Sequence, residues 1–222
     1  MTFKPELRTL PPSQLKLWPE LSATPTTFTL YSGTALALRL GHRTSINFDF
    51  FSNEPFDPDA LSAALPYLDD AERIQVDANT LPCRVERGGP VLISFFGGLG
   101  LGQAAAHDVA EDTGLRVAPL LDIAATKAAV VQKRAEVKDY LDMGALLAIG
   151  VALPMMLAAA AVVYGPKFNP LITLKALTYF DDLPNLPEAV RARLLKAVLG
   201  VDVTRIPVLT PYAERPTRGL TP

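Results

Sequence analysis

Tyr31-Ser32-Gly33-Thr34-Ala35-Leu36-Ala37-Leu38-Arg39-Leu40-Gly41-His42-Arg43-Thr44-Ser45-Ile46-Asn47-Phe48-Asp49-Phe50-Phe51-Ser52 is the stretch whose reading decides the fold. Phe28-Thr29-Leu30-Tyr31 in front of it alternates as a strand does, and Ser32-Gly33 supplies a turn. Thr34 to Leu40 has the composition of a short helix, stopped by Gly41. Ser45 to Phe51 is a second strand. Side chains alternate across a strand, so Ser45, Asn47 and Asp49 share one face and Ile46, Phe48 and Phe50 share the other. The apolar face must be buried. The polar face then presents an amide and a carboxylate roughly 7 Å apart along the strand.

Two chemistries suit this pattern. A glycine turn ahead of a helix offers free N–H groups and the positive end of the helix dipole to an anion, and Gly33 lets phosphate approach the backbone. Acids at alternate strand positions can bind divalent cations that hold a nucleoside triphosphate. The bland alternatives are a turn that only reverses the chain and a strand with one solvated polar face.

Outward from this stretch, Pro12 to Leu21 reads as a short helix, and Asp57 caps another that starts at Pro58 and runs to about Leu68. Arg73–Asp77, Pro82–Glu86 and Val91–Phe96 are strand candidates at the short spacing of an antiparallel meander. Beyond Asp122 the pattern is almost wholly helical, and Pro207, Pro211, Pro216 and Pro222 mark a proline-rich tail. The expected class is α+β: an α/β lobe with a mixed sheet over 1–120, a helical lobe over 121–206, and the tail over 207–222.

In the helical half, Lys127, Arg134 and Lys138 are spaced by seven and four. On one unbroken helix they fall within roughly 40° of each other, a cationic stripe suited to triphosphate oxygens or carboxylate partners. Asp139 and Asp142 lie just beyond it. A solvated face with ordinary ion pairs is the competing explanation.

Composition sets limits. The 222 residues, 49% apolar with a net charge of −2, suffice for one substantial core and give no long-range attraction for polyanions. One cysteine, Cys83, excludes an internal disulfide and a cysteine zinc cluster, and a reducing cytoplasm is the expected setting. Met1-Thr2-Phe3-Lys4-Pro5-Glu6 lacks the basic and apolar regions of a signal peptide. Met143 to Pro166 is uncharged and long enough for a membrane span, but Gly150 and Pro154 interrupt it and no basic cluster flanks it. A buried helical hairpin is expected instead. Trp18 reads as a packing anchor. The glycine-rich run from Gly97 to Gly102 lacks the helix start of a dinucleotide site.

The opening block resembles the signature of the AbiEii/AbiGii-type nucleotidyltransferase toxins: a glycine turn, Gly-His-Arg, then Asp-x-Asp before paired aromatics. A second block, Asp122 to Lys127, then Arg134 and Lys138-Asp139-Tyr140-Leu141-Asp142, is similar to the family's later signature. The resemblance implies a nucleotidyltransferase fold, magnesium, a nucleoside triphosphate, and transfer of a nucleotide to an acceptor such as tRNA or protein, with a cognate antitoxin as a further partner. Carried over by position, Ser32, Gly33 and Thr34 would touch phosphate, Asp49 would hold metal with Asn47 beside it, and Lys127 would contact the triphosphate. Arg134 and Lys138 would add to nucleotide binding, and Asp139 matches the later catalytic aspartate. His42 and Arg43 are placed to line the cleft.

Two positions depart from the pattern. Asn47 replaces the first acid of the pair, and Ser94 stands where a third acid is expected on a later strand. Asp49 is then the one acid of the expected metal cluster, which leaves a catalytically degenerate relative that binds nucleotide or a protein as the alternative. A plain helical interaction module is the remote third reading.

Overall fold

Alternating apolar residues make the centre of the sheet. In the computed structural model, which describes residues 1–75 and 77–213, strand β2 (Thr29–Tyr31) leads directly into helix α2 (Ser32–Leu40), and the chain returns as β3 (Asn47–Phe51). Gly41, at φ 62°, adopts the left-handed conformation that ends α2. Phe48 and Phe50 are fully buried, as the alternation requires, and Phe48 stacks on Trp18, whose Nε1 donates to Asp112 at 2.8 Å. Ile46 departs from that pattern. It is 58% exposed, because the strand begins one residue later, at Asn47, and pairing no longer holds Ile46 against the core.

The chain divides into two compact units. The first comprises Met1–Gly100 and His107–Ala118. Its sheet has eight strands among the described residues, in the order β1-β7-β8-β2-β3-β6-β5-β4. The remaining strands are β1 (Thr2–Phe3), β4 (Glu72–Arg73), β5 (Thr80–Glu86), β6 (Pro90–Phe96), β7 (Asp108–Ala110) and β8 (Arg116–Val117). β4, β5 and β6 form the expected antiparallel meander, while β3 and β6 pair in parallel. The sheet is therefore mixed and the class α+β. Helix α1 covers Pro12–Leu17, and a 3-10 turn continues it over Trp18–Ala23 where a longer single helix was expected. Helix α3 (Pro58–Ala64) has its predicted cap, with Asp57 accepting from the N–H groups of Asp59 and Ala60. Cys83 is buried in β5, and that burial pushes its thiol up from the ordinary value.

The second unit takes Leu101–Ala106 and the chain from Pro119 onward. Its helices are α4 (Leu120–Val130), α5 (Val137–Ala148), α6 (Leu153–Tyr164), α7 (Pro170–Ala176) and α8 (Glu188–Leu199). Lys127, Arg134 and Lys138 do not share one helix, because the chain turns between Val131 and Glu136. The apolar stretch from Met143 is split between α5 and α6, which bend by 118° at their break, and no helix among the described residues is long and apolar enough to cross a membrane. Ala158, Ala159 and Ala160 are all buried, so α6 is covered on more than one side. The proline-rich segment is described as far as Ala213, which bridges to Gln103; the rest of the expected tail lies outside the described residues.

Candidate active site

In the first unit the sheet register assembles the polar group. Asp49 lies beside Tyr31 on one side and Ser94 on the other, and Asn47 lies beside Leu92. Paired residues project to the same face, so Tyr31, Asp49 and Ser94 form one row with Asn47 two residues along. Ser32 Oγ donates to Asp49 Oδ2 at 2.6 Å. Ser32 holds φ at 67°, a conformation that costs a residue with a Cβ on the order of 1–2 kcal/mol. The tight entry from β2 into α2 imposes it, and the result is a serine aimed at the aspartate.

The start of α2 carries the features of an anion site. Its first N–H groups have no intrahelical acceptor, and no acidic side chain occupies the first turn. A Cβ at Gly33 would collide with the Arg43 guanidinium, so glycine is what allows that cation to lie on the backbone at the helix start. Thr34 behaves differently from its neighbours. It is buried, donating to the carbonyl of Asn47 and lying 2.8 Å from Ser45 Oγ, which pins α2 to β3.

The donor set available to a cation is small. Asn47 Oδ1 is buried without a hydrogen-bond partner, and a hard cation would satisfy it. Together with Asp49 it fits a single divalent ion that takes most of its ligands from phosphate and water. The pair of cations held by three acids does not fit, because Asp49 faces Ser94 and no group of three acidic, histidine or cysteine side chains is placed for metal among the described residues.

Residues on the same face add apolar surface that sequence reasoning left aside. The Tyr31 and Phe51 rings stack with centroids 4.9 Å apart, and Phe96 meets Phe51 edge-on at 5.8 Å. The alternation that groups Asn47 with Asp49 also places Phe51 with them, so the signal for this aromatic wall was present.

The second unit holds a separate cluster. Lys127 Nζ lies 2.8 Å from Asp139 Oδ1 and 2.6 Å from Asp142 Oδ2, with both carboxylates fully buried. Arg134 Nε reaches Asp139 Oδ2 at 2.8 Å and its Nη1 reaches Glu136 at 3.2 Å. Lys138 pairs with Glu136 at 2.7 Å on the surface. In place of a cationic stripe there is a charge-balanced network. The turn between α4 and α5 is its cause: on one straight helix Lys127 and Asp139 would be roughly 18 Å apart along the axis. Asp122, at the start of α4, accepts from the Ala104 N–H at 2.9 Å. In these arrangements Lys127 orients two carboxylates, and Asp139 is held by two cations at once.

Comparison with known proteins gives these clusters a context. The profile of the family described as "Nucleotidyl transferase AbiEii toxin, Type IV TA system" matches residues 20–206. An uncharacterised protein of Aquifex aeolicus (strain VF5) is 31% identical over 122 residues, which are 54% of this chain and 57% of that relative, little more than half its length. Among solved structures, a candidate nucleotidyltransferase from H. pylori superposes with a TM-score of 0.53 at 16% identity, covering 84% of this chain and 90% of the other. MenT4, a nucleotidyltransferase toxin of Mycobacterium tuberculosis H37Rv, gives 0.56 at 18% identity over 86% and 83%. These two likenesses establish a shared fold.

Proposed function

Because the chain belongs to the AbiEii nucleotidyltransferase toxin family, we propose that it transfers a nucleotide from a nucleoside triphosphate to an acceptor, RNA (tRNA included) or protein, with a cognate antitoxin as its partner. The observation that carries this reading is the hydrogen bond from Ser32, in its left-handed conformation, to Asp49. It couples the start of α2 to the one carboxylate on the polar face of β3, and strained residues of this kind cluster at functional sites.

The roles follow from the geometry. The N–H groups of Gly33 and Thr34 bind phosphate oxygens, and the Arg43 guanidinium adds positive charge at the same helix start. Ser32 holds the Asp49 carboxylate in one orientation. Asp49 and the unsatisfied Asn47 oxygen would hold a magnesium ion, which when bound supplies charge neutralisation on the phosphates. In the second unit, Lys127 and Arg134 together fix the Asp139 carboxylate in one orientation. Incubating the protein with each labelled nucleoside triphosphate, magnesium and total RNA or total protein tests the proposal. Label transfer that Asp49→Ala abolishes is the expected result; no transfer with any nucleotide overturns it.

The pairing of Asp49 with Ser94 favours a second reading, a relative that binds nucleotide without catalysis. It predicts nucleotide affinity with little dependence on magnesium, and transfer by the unaltered protein eliminates it.

A further inference from the structure

The helical unit contains a cavity of about 260 Å³ that none of the residues discussed above enters. The end of α4 and the turn after it supply Ala129, Val130 and Lys133 to its wall, and the end of α6 with the turn after it supplies Tyr164, Lys167 and Phe168. Lys127 lies on a different face of α4, committed to its two aspartates.

Ala129, Val130, Phe168 and the Tyr164 ring give the lining its apolar part, Thr126 and Gln132 add polar groups, and Lys133 and Lys167 are exposed lysines on its wall. Neither lysine forms an ion pair with the described residues, whereas Lys127, Lys138 and Arg134 in the same unit all do. Two ammonium groups beside an apolar hollow, with no carboxylate on its wall, repel cations and offer little to a fully polar solute. Burial pushes the Tyr164 hydroxyl up to about 12, so it stays protonated at neutral pH.

We propose that this cavity binds a small amphipathic anion, an apolar ring or short chain carrying one carboxylate or phosphate, with the body on Val130, Phe168 and Tyr164 and the charged head between Lys133 and Lys167. The volume suits a molecule of about the size of a substituted benzene ring rather than a polymer. Since α4 carries Lys127 on its adjacent face, an occupant braces the helix that organises Asp139.

Titration calorimetry of the intact protein with benzoate, phenyl phosphate and the neutral benzyl alcohol tests the site. At least one anion should bind saturably, with benzyl alcohol at least about tenfold weaker. Lys133→Ala and Lys167→Ala should each weaken the anion by about tenfold, while Lys175→Ala, at an exposed lysine on α7, should not. Ala129→Phe should fill the hollow and abolish binding; because both lysines are exposed, their variants fold even if that one does not. Preference for phenyl phosphate over benzoate, or the reverse, identifies the head group. No saturable binding of either anion, or equal affinity in a Lys133→Ala/Lys167→Ala variant, overturns the proposal.

Discussion

Lys127 and Asp139 are twelve positions apart in the sequence and 2.8 Å apart in space, because the chain folds back between α4 and α5. Their meeting turns what sequence spacing shows as a basic stripe into a buried network in which each charge answers another.

Lys127→Met should therefore destabilise the protein by about 3–5 kcal/mol, since it strands the carboxylates of Asp139 and Asp142 in the interior. Urea unfolding measures this. Adding Asp142→Leu should recover at least about 2 kcal/mol, because Arg134 still pairs with Asp139. A fully additive double variant is the outcome that contradicts the network.

Ser32 separates stability from activity. Ser32→Ala keeps the left-handed strain and loses a hydrogen bond to a carboxylate, an expected cost of about 1–3 kcal/mol. Ser32→Gly loses the same bond but relieves the strain, and should lie about 1 kcal/mol above the alanine variant. Both should reduce nucleotide transfer by about tenfold or more, as Asp49 loses its fixed orientation. If transfer is the same in both variants and the unaltered protein, Ser32 serves only the turn.

Asn47→Asp adds a negative charge to the cation's donor set, so the magnesium concentration giving half-maximal transfer should fall several-fold. A magnesium titration of both proteins decides this. An unchanged midpoint would place Asn47 outside the metal's reach.

His107 predicts an acid-sensitive component of stability. Burial holds its pKa down at about 4, with Arg116 adding to the depression and Asp108 opposing it, and its Nδ1 has no partner. The unfolded chain, with a histidine near 6.5, binds the proton more readily than the native one. The contribution is thus fully present above pH 6.5 and lost as pH falls toward 4, by about 1–2 kcal/mol after allowing for partial exposure. His107→Gln should flatten the stability profile across that interval, read from denaturant midpoints at successive pH values.

Legibility in the sequence followed the range of the interactions. β2, α2, β3 and the β4–β6 meander were readable because alternation, a glycine stop and turn residues specify them locally. β1, β7 and β8 have two or three residues each, and pairings such as Thr2 with Val109 join distant parts of the chain, which no local pattern announces. The turn after Val130 was hidden for another reason. Gln132-Lys133-Arg134-Ala135-Glu136 contains good helix formers and neither glycine nor proline, so propensity favoured continuation and tertiary packing prevailed. At the candidate site, the family resemblance put Ser94 in the place of a third acid and the register sets it opposite Asp49, whereas the Ser32–Asp49 bond depends on a backbone angle that letters do not carry.

Asp49 sits between Phe48 and Phe50, both wholly inside the protein. Sliding β3 by one residue against β6 would drive the carboxylate into the oil and both phenyl rings into water. The aqueous reach of that acid is thus guaranteed by its greasy neighbours, and a lineage that kept the core would keep the acid's address even after its chemistry had lapsed.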